Sequence, residues 1–153
     1  MKRLSWILAL AALLVSSAAA QNAGQIGIAI KSQWIPQAGF VWQATNGFSL
    51  RALIYVEGGG DEVINLDEAA RISIAALSRF RTTDDVRPYV GLDFTVSTFE
   101  DENYVGPLFG FHYQPHQRFG LFGELGFSID IGDSVEIMHM LNTGIGAVFY
   151  LNR

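Results

Sequence analysis

Between Gln25 and Leu151 apolar residues alternate with small or polar ones, segment after segment, and the apolar face of that alternation carries no charge. Period two is the repeat of a β-strand, whose successive side chains point to opposite faces; the 3.6-residue repeat of an amphipathic helix does not outcompete it anywhere in this stretch. Eight segments show it, over 25–34, 39–44, 48–57, 70–80, 87–97, 105–114, 118–129 and 138–151. The third, for instance, lines up Phe48, Leu50, Ala52, Ile54 and Val56 on one side, and the seventh lines up Phe119, Leu121, Leu125, Phe127 and Ile129. The expectation is an all-β fold, an eight-stranded antiparallel up-and-down barrel.

The connections alternate as well. Asn46-Gly47, the Thr-Thr-Asp-Asp stretch within 81–86 and Pro115-His116-Gln117 read as tight turns, and Asn-Gly is the signal of a hairpin turn with positive φ at both central positions. Stretches 58–69, 98–104 and 130–137 are longer, so one rim should be plain and the other elaborated.

An amphipathic barrel has two solutions, apolar face inward around a ligand in water or apolar face outward against lipid. The two faces decide between them. The apolar face has only Ser32, Ser78 and Thr143 as polar members. The other face holds nine glycines, from Gly27 to Gly146, and only seven charges, Lys31, Arg51, Glu57, Arg71, Arg79, Asp93 and Glu124. A water-facing exterior should be richer in charge, and glycine in mid-strand would weaken it without any packing return. Turned inward, the same small residues suit an eight-strand lumen that is just wide enough for its own side chains. Lys31, Arg51, Arg71, Arg79, Asp93 and Glu124 are therefore expected to form a network of paired charges inside, and the membrane barrel is preferred to the soluble one. Outward aromatics towards strand ends, Trp34, Trp42, Phe48, Phe80, Tyr113 and Phe149, agree with rings seated at headgroup level.

The start of the chain fits this destination. Lys2 and Arg3 precede an apolar run from Trp6 to Val15, followed by Ser16-Ser17-Ala18-Ala19-Ala20. That pattern predicts a secretory signal peptide over 1–20, cut between Ala20 and Gln21, with the barrel domain over 21–153. The run is shorter than the roughly 20 residues of a spanning helix. Loss of Lys2 and Arg3 leaves 8 basic residues against 15 acidic ones, a balance opposed to nucleic-acid binding, and the absence of cysteine excludes thiolate metal sites and disulfides.

The run Arg87-Pro88-Tyr89-Val90-Gly91-Leu92-Asp93-Phe94, the run Phe119-Gly120-Leu121-Phe122-Gly123-Glu124-Leu125-Gly126 and the glycine-aromatic ending resemble small bacterial outer-membrane barrels of the OmpA/OmpX kind over the whole mature chain. The last segment is similar to the C-terminal signal read by the outer-membrane assembly machinery, with Gly146, Phe149 and Leu151 at matching positions; Gly144 and the trailing Asn152-Arg153 depart from it. The resemblance implies a monomer in outer-membrane lipid, reached through that machinery.

Chemistry-bearing residues are sparse. No serine, histidine and carboxylate, and no His-x-Ser pair, stand in the pattern a lipid-modifying barrel would need; His112 reads as a lumen filler, and His116 as a surface turn residue. Asp93 and Glu124 suit charge pairing better than acid-base catalysis. The expectation is a non-enzymatic barrel with no cofactor and no open pore, in a structural, surface-interaction or envelope-integrity role. A lipid-modifying enzyme using Asp93, Glu124 or His112, and a soluble lipocalin-like barrel binding an apolar ligand, are the alternatives. Acidic residues gather at the long connectors: Glu57, Asp61, Glu62, Asp67 and Glu68, then Glu100, Asp101 and Glu102, then Asp130, Asp133 and Glu136. Solvated loops explain them, and a weak divalent-cation site shared between loops is the sharper alternative.

Overall fold

The computed structural model of the chain describes residues 23–56, 70–80, 85–97, 103–131 and 140–151. The expected signal peptide with its Ala20/Gln21 cut, and the acidic residues Glu57, Asp61, Glu62, Asp67, Glu68, Glu100, Asp101, Glu102, Asp133 and Glu136, lie outside them. Eight strands are present: β1 Gln25–Ser32, β2 Gln37–Gln43, β3 Phe48–Val56, β4 Ala70–Arg79, β5 Val86–Ser97, β6 Asn103–His116, β7 Phe119–Asp130 and β8 Met140–Tyr150. Each pairs antiparallel with its chain neighbour, and β8 returns to β1, which closes the barrel in simple up-and-down order. The closing seam pairs Gly27 with Tyr150 and Ser32 with Ile145, and the Leu151 amide donates to the Ile26 carbonyl at 2.8 Å. Closure leaves no free sheet edge, the usual hazard of a strand-rich chain.

The sequence expectation needs three local corrections. The first strand ends at Ser32, which puts Trp34 in a bend at the long-connector rim, because Pro36 and the residues before it turn the chain into β2. The turn expected at Pro115-His116-Gln117 lies one residue later, at Gln117-Arg118. β6 runs on through His116 with its register to β7 slipping between Tyr113 and His116, and a proline that cannot donate to the ladder is tolerated at such an irregularity. Asn46-Gly47 does not form the two-residue turn either, since Gly24 is the only described residue with positive φ, at 81°. Four residues join β2 to β3, and the Thr45 hydroxyl accepts from the Gly47 amide at 3.2 Å while the Thr45 amide donates to the Phe48 carbonyl at 3.1 Å. The longer connection removes the need for the mirror-image turn.

Burial alternates along the strands, and the alternation settles which face is inside. Lys31, Arg51, Arg79, Asp93, His112 and Glu124 are buried, together with an apolar cluster that includes Val41, Leu53, Leu77, Leu108, Phe122 and Val148. Large apolar side chains point out on every strand, from Ile26, Ile28 and Ile30 on β1, through Phe40, Ile54, Ile74, Leu92, Phe109 and Leu125, to Ile145 and Phe149 on β8. Among the described strand residues, no exposed side chain belongs to Asp, Glu, Lys or Arg. The barrel is thus apolar outside and polar with a filled core inside.

Candidate functional site in the lumen

The strand period sends odd-numbered residues of β1, β3 and β5 into the lumen, and even-numbered residues of β7. Side chains from alternate strands meet at one height in such a barrel, and the inward residues here do so around Glu124. Lys31 Nζ from β1 lies 2.5 Å from Glu124 Oε1, and Arg51 Nη2 from β3 lies 2.6 Å from Glu124 Oε2. The Tyr89 hydroxyl from β5 donates to the same Oε2 at 2.9 Å. Arg51 also places its guanidinium 4.8 Å from the centre of the Phe122 ring. Asp93 sits nearby on its own support, accepting from the Ser73 hydroxyl at 2.5 Å and the Thr95 hydroxyl at 3.5 Å.

Glycines make the space for this cluster. A Cβ on Gly110 would stand 2.5 Å from the Tyr89 hydroxyl, and one on Gly144 would stand 2.5 Å from Lys31 Cε. Both positions need a residue without a side chain because a long polar one from a neighbouring strand lies across them.

The six expected lumen charges are all on the inside, but they do not form one network. Lys31, Arg51 and Glu124 come together, with Asp93 close by on hydroxyl partners. Arg71 lies towards the long-connector rim between Tyr55 and Tyr104, its guanidinium 5.9 Å from each ring centre. Arg79 lies at the opposite end, beside His112. Both sit on β4, and at about 3.3 Å rise per residue they are roughly 26 Å apart, too far to share one cluster. Sequence reasoning did not find Tyr89 and Ser73 as carboxylate partners, although their inward parity on β5 and β4 is visible in the strand pattern.

Two small spaces flank the cluster. Towards the long connectors Arg71, Asp93, Tyr55 and Tyr104 line one of about 50 Å³, and on the tight-turn side Arg51, Arg79 and His112 line one of about 10 Å³. His112 is buried against Tyr150, with its Nε2 3.5 Å from the phenol oxygen, and His116 is exposed at the end of β6, where its Nδ1 accepts from the Arg118 amide at 3.3 Å. Among the described residues no three His, Asp or Glu side chains could hold a metal ion together. Of the residues matching the assembly signal, Gly146 faces the Phe122 ring inside, whereas Phe149 and Leu151 point outward, Phe149 with its ring 5.2 Å from that of Phe119. Asp130 closes β7 at the long-connector rim.

Chemically, the central cluster is a cross-brace. Each oxygen of Glu124 faces a cation, which leaves neither oriented to take a proton from a substrate, and the side chains from β1, β3, β5 and β7 fill the section they cross. No family model matches the chain, and no curated protein is significantly similar to it.

Proposed function

We propose that the chain is an exported bacterial outer-membrane barrel of the OmpA/OmpX-like kind, with lipid against its outer face and no open pore, acting in a structural, surface-interaction or envelope-integrity role. One observation carries the reading: an uncharged belt of large apolar side chains surrounds a lumen in which charges are paired. A soluble barrel would lose the hydrophobic stabilisation of every one of those side chains, since burial of apolar surface contributes about 25 cal/mol per Å² and here that surface faces outward. In lipid the same surface is where it should be, and each backbone polar group is satisfied by its neighbour strand. A soluble carrier of an apolar ligand would need the opposite arrangement of faces.

Two further features support it. Trp42, Phe80, Tyr113 and Phe149 are exposed near the tight-turn ends of their strands, with Phe48 partly so, while Trp34 stands at the other rim, an arrangement suited to aromatic girdles at two interfaces. The N-terminal pattern of Lys2-Arg3, apolar run and Ala18-x-Ala20 suits export. Glu124, held by two cations and a phenol, suits a plug that braces the barrel and blocks solute flow.

Membrane fractionation tests the proposal. Expressed with its leader, the protein should sediment with outer membranes, resist alkaline carbonate and high salt, and leave only in detergent; reconstituted into vesicles it should not conduct ions or admit sugars. Release into the aqueous fraction without detergent would overturn the membrane reading, and solute flux through vesicles would overturn the closed lumen.

A further inference from the structure

Arg79 is 8% exposed, and its Nε and Nη1 have no hydrogen-bond partner. The carboxylates that could neutralise it are engaged elsewhere: Glu124 with Lys31 and Arg51, Asp93 with Ser73 and Thr95. Among the described residues no acidic side chain pairs with Arg79. A guanidinium held out of water without a counter-charge is costly, so such a group calls for a partner.

The space beside it has the character of an anion site. The cavity of about 10 Å³ is lined by Arg79, His112 and Arg51, with Val41 and Phe122 on its apolar wall, and no carboxylate lines it. Its unpartnered polar atoms are Arg79 Nε and Nη1, Arg51 Nε and His112 Nδ1. The first three are N–H donors without acceptor capacity. His112 joins them when the Tyr150 hydroxyl donates to Nε2, because a neutral imidazole then keeps its hydrogen on Nδ1. Tyr89, which also touches the space, already commits its hydroxyl to Glu124. The site therefore presents donors and positive charge, and its size is that of a single water. Sulfate and phosphate are too large.

We propose that this cavity binds one monoatomic anion of chloride size, held by the Arg79 guanidinium, Arg51 Nε and His112 Nδ1. A water molecule would meet some of the donors but leave the charge of Arg79 uncompensated, and a halide does both. The site is enclosed by the barrel, so the inference does not depend on whether lipid or water lies outside.

The test uses the barrel refolded in a nonionic detergent, unfolded by urea at constant ionic strength while sodium gluconate is replaced by sodium chloride. Linkage makes the unfolding equilibrium constant fall by about tenfold for each tenfold rise in chloride above its dissociation constant. The ³⁵Cl resonance should broaden saturably in the presence of folded protein, and bromide should displace that broadening. Arg79→Gln should abolish both effects, whereas Arg118→Gln, in the exposed turn, should keep them. Equal midpoints in gluconate and chloride, or a chloride dependence that survives Arg79→Gln, would overturn the proposal in favour of a bound water. Should Arg79→Gln fail to fold, the broadening of the unaltered barrel and its displacement by bromide decide the matter alone, and their absence overturns it.

Discussion

Arg51 and Glu124 lie 73 residues apart in the chain and on strands four positions apart around the barrel, β3 and β7, yet Arg51 Nη2 stands 2.6 Å from Glu124 Oε2. The pair spans the lumen, and Lys31 from β1 and Tyr89 from β5 close on the same carboxylate. Four alternate strands are thus tied at one height by a single acidic side chain, which makes Glu124 the residue whose loss should be felt most.

Glu124→Ala leaves Lys31 and Arg51 buried together without their shared partner. Breaking a buried ion pair from one side costs about 3–5 kcal/mol, so the urea midpoint of the refolded barrel should fall accordingly. Lys31→Met should cost less, because Arg51 still neutralises Glu124. Tryptophan fluorescence through the unfolding transition measures both, and equal effects of the two substitutions would contradict the shared-carboxylate geometry.

Gly120 and Gly123 separate the inside from the outside of β7. A Cβ on Gly120 would collide with His112 Nε2, whereas one on Gly123 would have Ile145 Cγ2 as its nearest neighbour, at 4.0 Å. Gly120→Ala should destabilise by about 1–3 kcal/mol, the usual range for overpacking, and displace His112 from Tyr150. Gly123→Ala should leave the midpoint nearly unchanged. The histidine ring resonances of the two variants provide an independent reading, with His112 shifted in the first alone.

Ile74 lies on the outer face in the middle of β4 and is 51% exposed. An arginine there should destabilise the barrel in lipid vesicles by about 2–4 kcal/mol, the range for a basic side chain at the bilayer midplane. In a water-exposed position the same change would be close to neutral. Trp42→Arg, close to the tight-turn rim, should cost less than Ile74→Arg in the same vesicles. No difference between vesicle and detergent values would count against the lipid-facing belt.

An even number of strands brings both ends of the barrel to one rim, together with the connections at 44–47 and 117–118. With the N-terminus on the periplasmic side, protease added to intact cells should cut within 58–69, 98–102 or 132–137 and spare the tight turns. Mass spectrometry of the released fragments reports the sites. Fragments ending only in the tight turns would require the opposite orientation.

Much of this architecture is written locally. The alternation at Ile26, Ile28 and Ile30, or at Leu121, Leu125 and Phe127, makes strands with one apolar face, and the turn signals between such runs set their number and antiparallel order. Parity alone sends Lys31, Arg51, Asp93 and Glu124 to the same side, and the lack of charge on the other face identifies which side that is. What parity cannot supply is height and azimuth. Those depend on the stagger of each strand against the next and on closure of β1 upon β8, which are properties of the whole barrel. Only the closed structure brings Glu124 between Lys31 and Arg51, gives Asp93 to Ser73, and separates Arg71 from Arg79 by the length of β4. The same holds at Asn46-Gly47, where a four-residue connection relaxed a turn that two residues alone would have imposed. Side-chain direction follows from a two-residue period that any segment carries by itself, whereas side-chain partnership follows from long-range register, which exists only once all eight strands have met.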